Sequence, residues 1–193
     1  MNIIPSALNK VYNLNRYTYE EVQLILNSHT PFEIKRNAYF IKRGQISNEY
    51  YCIESGIMRS FVNDLKGNEV TTNFFTRNQI AIDVASLFKQ ERAKESIQAI
   101  TDCKVYIISL DSFQNLFHTV PKFREWGRLW MTESLIEYKA RSIDLISTPA
   151  LERYTALANQ FPEIIQNAPL KQIASYLGIT NSTLSRIRSE ITS

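Results

Sequence analysis

Residues 170–188 constrain the fold more tightly than any other part of the chain. Ile173, Ala174 and Leu177 recur at helical spacing and stop at Gly178. Glycine reaches a left-handed backbone without steric cost, so a first short helix ends there. Thr180 or Asn181 can cap a second helix, because either side chain can accept a free backbone N–H. Leu184, Ile187 and Ile191 then face inward at helical spacing. Asn181, Ser182, Ser185, Arg186 and Ser189 are left on the opposite face.

Small Ala174 at the crossing, Gly178 four residues later and Leu184 and Ile187 plugging the angle form the pattern of a helix-turn-helix. An ordinary helical hairpin can carry the same pattern. The polar face separates the two readings. It holds Arg186 and Arg188 and no carboxylate before Glu190, as a surface that meets phosphates should. The second helix, about residues 181–190, is expected to lie in a major groove of double-stranded DNA.

The chain has 193 residues, of which 44% are hydrophobic, enough for one or two packed domains. Its net charge of +3 permits nucleic-acid binding without demanding it. No run of about 18 apolar residues is present, so no transmembrane helix is expected. The first ten residues lack the charged start and apolar core of a signal peptide, and a cytoplasmic location is expected. Cys52 and Cys103 each sit inside an apolar run and read as buried free thiols.

Residues 1–30 read as helical, with Thr18 and Glu21 as a capping box and Pro31 as the stop. From Phe32 to about Leu110 short runs rich in Tyr, Phe, Ile, Val and Thr alternate with turn signals around Gly44, Gly56 and Gly67. Phe32 and Ile34, and Val105 and Ile107, alternate as strand residues do. An antiparallel sandwich or barrel is expected, with Asp64 to Asn68 as a hairpin tip. Ser109 or Asp111 then starts a short helix carrying Phe113, Leu116 and Phe117.

Residues 122–147 contain no proline and one glycine, and would span about 39 Å as a helix. Met131, Leu135, Tyr138 and Leu145 make one apolar series, and Leu129, Ile136 and Ile143 a second beside it. One edge of so wide a stripe can pack on the β region while the other meets a second copy, giving a homodimer. The alternative is a helix buried within a monomer. Thr148-Pro149 marks a boundary, with Thr148 as cap and Pro149 at the first helical position. Leu151, Tyr154, Leu157 and Ala158 follow at helical spacing. The chain ends at Ser193, so no wing hairpin is expected after the second helix.

This order of parts resembles the Crp/Fnr family of transcription regulators over nearly the whole chain. The residues that carry the likeness are Ile173 to Thr180 with Leu184 to Arg188, and Phe40 to Gly44 with Tyr50 to Arg59. Arg153-Tyr154 is also familiar from this family. The resemblance implies an α+β chain in three parts. Residues 1–121 would be a cyclic-nucleotide-binding-like jelly roll, 122–147 a long dimerisation helix and 148–193 a DNA-binding helix-turn-helix domain. It implies DNA, a second copy and RNA polymerase as partners, and a small-molecule effector.

In this family a Gly-Glu pair holds the ribose of the cyclic nucleotide and an Arg-Ser pair neutralises its phosphate. Here Ile82-Asp83 and Glu95-Ser96 stand at those places. A carboxylate in place of the arginine repels the anion, and neighbouring Lys94 lacks the bidentate fork. Asp83, Glu95 and Ser96 therefore remain only as residues of a degenerate pocket, and cyclic AMP is not expected to bind in the usual mode. The family's iron–sulfur type needs more cysteines, and a haem type needs ligands that the isolated His29 and His118 do not supply. No cofactor or metal is expected.

The family reads bases with Arg, Glu and Arg on the second helix. Asn181 and Ser182 occupy the first two positions here and Arg186 the third, where it can grip a guanine through O6 and N7. Arg188, Lys171 and Ser185 are expected nearer the phosphates, and Thr180 and Ser189 complete the expected DNA-binding residues. Two other functions fit parts of the chain, a protein-binding adaptor with a degenerate sensor and a cupin-like enzyme. The latter needs converging histidines, and residues 32–110 contain none.

Overall fold

The computed structural model describes residues 4–192; Met1–Ile3 and Ser193, at the outer ends of the first and last expected domains, lie outside the described residues. The chain opens with helix α1 (Ser6–Tyr12), a 3-10 turn (Leu14–Arg16) and α2 (Tyr19–Asn27). The N-terminal segment is thus not one helix. Asn13 takes a left-handed backbone and breaks it. The expected capping box forms: Thr18 accepts the Glu21 N–H, and the Glu21 carboxylate accepts the Thr18 N–H.

Pro31 does not stop a helix. It lies inside strand β1 (Thr30–Ile34), which pairs only with β8 (Cys103–Ser109). An edge strand tolerates proline because one row of its N–H groups has no partner strand. β1 and β8 form one antiparallel sheet with β3 (Glu49–Ser55) and β6 (Ile80–Ala81), in the order β1-β8-β3-β6. β2 (Tyr39–Ile41), β4 (Met58–Asn63), β5 (Glu69–Phe75) and β7 (Ser96–Ala99) form the second, in the order β2-β7-β4-β5. The two sheets make the expected jelly roll.

Strand alternation sorts residues between separate cores. Tyr51 and Ile53 of β3 join the roll interior with Ile97 and Val105. Tyr50 and Cys52, one residue away, face the helices with Leu8, Ile25, Phe113 and Phe123. That is why β3 is buried on both faces and reads as an unbroken apolar run. Phe32 lies on the same face of β1 as Ile34, yet it is 52% exposed and is not part of the core. Gly56 turns β3 into β4 at φ +97°, where an added Cβ would lie 2.5 Å from the Asp102 carbonyl oxygen.

Buried polar groups in the helical core are paired. His29 Nδ1–H donates to the Ile25 carbonyl, so Nε2 accepts the Tyr12 hydroxyl at 2.7 Å. Tyr12 is bonded in turn to Tyr50 at 2.8 Å. His29 is therefore a packing histidine. Cys52 and Cys103 are both buried free thiols, and burial pushes Cys52 up to about 12.

Helix α3 (Val84–Lys89) follows β6, and α4 (Leu110–Thr119) follows β8 with Ser109 as its cap. α5 (Pro121–Ser147) is the long helix, 27 residues. Pro149 is the residue before α6 (Ala150–Gln160) rather than its first turn, and the Thr148 hydroxyl donates to Asp144 instead of capping α6. α7 (Pro162–Asn167), α8 (Leu170–Tyr176) and α9 (Asn181–Thr192) complete the chain.

Candidate nucleic-acid interface and effector pocket

The turn between α8 and α9 is a Schellman motif. The Ile179 N–H bonds the Ala174 carbonyl at 3.0 Å and the Gly178 N–H bonds Ser175 at 3.1 Å, with Gly178 at φ +67°. Thr180 supplies the cap of α9, accepting the Thr183 N–H at 3.2 Å. Asn181 is the first helical residue. Ile173, Ala174, Leu177, Leu184 and Ile187 are buried together with Tyr154 and Ile164. Ile191 is not part of this core; it is 52% exposed.

Asn181, Ser182, Ser185, Arg186 and Ser189 are all exposed on one side of α9, and Arg188 is half-buried. Ser189 Oγ–H donates back to the Ser185 carbonyl at 2.9 Å. Lys171 is exposed on α8. The structure thus brings the expected base-facing residues onto one surface.

No local pattern announces what holds this unit in place. α8 packs along β5, the edge strand of its sheet. Ser175 Oγ accepts the Thr71 backbone N–H at 3.1 Å, and Tyr176 meets Phe74 with ring centroids 5.0 Å apart. Ile57, Phe74 and Ile100 of the roll belong to the same apolar cluster as Ile173 and Leu184. From α5, the Arg141 guanidinium lies 3.6 Å over the Tyr176 ring and donates to the Tyr176 carbonyl. Arg153 of α6 donates to the Leu177 carbonyl at 2.8 Å. Both cations sit at the negative end of α8, where helix carbonyls lack partners.

Beneath Thr71 lies Arg59, 2% exposed, bonded to Thr71 and Glu69 and stacked 4.1 Å over Phe61. Its direction on β4, opposite to the interior residue Met58, aims it at the helix-turn-helix side.

The three degenerate-pocket residues do not converge on an open site. Asp83 caps α3 by accepting the Ser86 N–H at 2.9 Å. Ser96 Oγ accepts the Arg43 N–H. Glu95 accepts the Thr72 hydroxyl at 2.6 Å. Burial, with the Asp83 charge adding, raises the Glu95 carboxyl above its ordinary value. Lys94 is exposed. Glu95 and Thr72 thus form an internal carboxylate–hydroxyl pair.

On α5, Phe123 and Gly127 are buried, and the Trp126 indole donates to the Val11 carbonyl at 2.7 Å. Leu129, Met131, Leu135, Ile136, Tyr138, Ile143 and Leu145 are all more than a third exposed in the single chain. Tyr138 and Leu145 lean on their own chain. Tyr138 lies beside Asn73 and Glu95, and Leu145 lies 3.3 Å from where a Cβ on Gly178 would be. No helix among the described residues is long and apolar enough to cross a membrane. Among the same residues no group of three His, Cys, Asp or Glu could hold a metal ion.

Residues 31–120 match the family model of the cyclic nucleotide-binding domain. The chain is similar to the anaerobic regulatory protein of Haemophilus influenzae, 23% identical over 91% of this chain and 71% of that protein. Its fold is that of the c-di-GMP responsive global regulator CLP of Xanthomonas campestris, with TM-score 0.69 at 13% identity over 91% of this chain and 92% of that one. A Eubacterium rectale chain assigned to the Crp/Fnr family gives TM-score 0.70 at 14% identity, over 94% and 87%. The β-roll thus resembles a cyclic nucleotide-binding domain over residues 31–120, and the likeness in fold to Crp/Fnr regulators extends through the C-terminal helices.

Proposed function

We propose that this chain is a homodimeric, sequence-specific DNA-binding transcription regulator of Crp/Fnr type. Its parts would be a sensor roll (1–121), a dimerisation helix (122–147) and a DNA reader (148–193). The observation that carries the reading is the face of α9. Asn181, Ser182, Ser185 and Arg186 stand exposed together, without a carboxylate, on a helix fixed by a Schellman turn and a buried core. Arg186 would read a base edge, Asn181 and Ser182 the neighbouring positions, and Lys171, Thr180, Ser185, Arg188 and Ser189 the phosphates. Two copies would place two such helices about one helical turn of DNA apart.

Leu129, Leu135, Ile136 and Ile143 support the second copy, because a single chain leaves them in water. Cyclic AMP in its usual mode is not the effector in this reading, since Glu95, a carboxylate held by the Thr72 hydroxyl, would repel a phosphate where the family has an arginine. Such a regulator would act in the cytoplasm, with RNA polymerase as a further partner, and not as an enzyme.

The test is selection of bound duplexes from a random pool, followed by fluorescence anisotropy with the best sequence. Arg186→Ala should lose about tenfold in affinity for it, with base preference relaxed at one position per half-site. Selection that returns no enriched sequence would overturn the proposal.

A further inference from the structure

α5 changes what it does halfway along. Phe123, Trp126 and Trp130 of its roll-facing stripe pack against the helical core and the roll. Ser134, Glu137 and Arg141 continue the same stripe, and there the helix stands off. The gap is a cavity of about 510 Å³ between α5, the end of β5 with the turn to β6, and α6. That volume is typical of a small-molecule site. Asp83, Glu95 and Ser96 do not line it.

Its walls have a definite chemistry. Phe74, Ile82, Trp130, Leu157, Phe161 and Tyr176 offer apolar and aromatic surface. Arg141 and Arg153 both line it, and neither forms an ion pair among the described residues. Arg141 uses one N–H, on the Tyr176 carbonyl, and presents a flat cation already stacked on an aromatic ring. Burial lowers its affinity for its own proton, and the Arg153 charge adds to this. Two buried polar atoms among the lining residues have no partner: Arg153 Nε, a donor, and Asn78 Oδ1, an acceptor. Glu137 and Asp144 sit at the exposed rim.

We propose that this cavity is a binding site for a small planar aromatic anion, its ring against Trp130 and Phe74 and its carboxylate or phosphate toward Arg141. A planar anion matches a guanidinium fork, and the apolar walls reward a ring over a bare ion. A second copy of the chain is the poorer occupant. Leu129, Ile136 and Ile143, the residues a partner helix would want, lie about 100° or more around α5 from this stripe. A ligand here touches the roll, α5, α6 and Tyr176 at once, so it would set the grip on α8. That regulatory role rests on the DNA-reader proposal; the binding itself does not.

The experiment uses the full chain without DNA and two probes with the same rings. One is anilinonaphthalene sulfonate, an anion; the other is phenylnaphthylamine, its uncharged counterpart. The sulfonate should bind saturably, one per chain, and quench Trp130 emission. Arg141→Gln should weaken the sulfonate about tenfold and leave the neutral probe nearly unchanged. Ser134→Trp, on the half-buried, cavity-facing stripe of α5, should fill the cavity and expel both probes without lowering the melting temperature. Absence of a saturable site, equal loss of both probes in Arg141→Gln, or undiminished binding in Ser134→Trp would each overturn the assignment.

Discussion

Ser175 Oγ accepts the backbone N–H of Thr71 at 3.1 Å, so a side chain of α8 closes the open edge of the β2-β7-β4-β5 sheet. An edge strand needs such a partner, because its outward N–H groups otherwise face water or another chain. Ser175→Ala removes the acceptor and leaves the N–H of Thr71, a residue 1% exposed, without it. The variant should lose about 1 kcal/mol of stability. Urea titration checks this, and a midpoint identical to the parent would mean that water already serves Thr71.

Phe74 carries more of the same contact. It is 5% exposed and packs with Tyr176, Leu184 and their neighbours. Phe74→Ala should cost about 3 to 5 kcal/mol, as large-to-small changes in a core do. Because Ile57, Phe74 and Ile100 complete this core, a fragment of residues 148–193 alone should lack a cooperative thermal transition. A sharp melt of that fragment by circular dichroism would show that its own residues suffice.

These contacts explain where sequence reading stopped. Gly178, Ala174, Thr180 and Leu184 were legible because each obeys a local rule: backbone sign, close crossing, capping and helical spacing. The strands were legible from their texture, and the long α5 from its lack of breakers. Pro31 misled because an edge strand accepts what a helix refuses, and one sequence does not announce which strand is at an edge. Arg59, Arg141 and Ser175 carry no local signal at all. Their roles arise from pairings across 10 to 104 residues of chain, which no spacing rule reaches. At the degenerate cassette the substitutions were visible, but not that Thr72 would satisfy Glu95.

Glu95 and His29 give stability two opposite pH slopes. The Glu95 carboxyl titrates above its ordinary value near 4.5, so the folded state binds its proton more tightly than the unfolded chain. Stability therefore falls as pH rises from about the ordinary value through the raised one. Glu95→Gln should abolish this fall and make the chain more stable at neutral pH. Urea midpoints of the two proteins between about pH 4 and pH 7 measure it. Parallel curves would show that Glu95 titrates as an ordinary carboxylate.

His29 works the other way. Burial lowers it to about 4, because a ring shut away from water carries a charge at a cost, and the Ile25 carbonyl offsets only part of this. Its contribution is complete above about pH 6.5 and is lost as pH falls toward 4. The ring-proton resonance of His29 should stay at its neutral position down to about pH 5, near one unit above that value. A midpoint near 6.5 would mean that water reaches the ring.

Ile136 is 62% exposed and Leu135 71% exposed in the single chain, on a helix whose other side is held by Phe123 and Trp126. A carboxylate at Ile136 would cost an isolated chain little, because it stays in water. In a dimer pairing along α5 it would face its own copy, where two buried like charges oppose association by several kcal/mol. Ile136→Glu should therefore sediment as a monomer with an unchanged circular dichroism spectrum, and should lose most of its affinity for a two-half-site duplex. A variant that stays dimeric would place the dimer contact off this stripe. A parent protein that sediments as a monomer at micromolar concentration would remove the second copy from the proposed function.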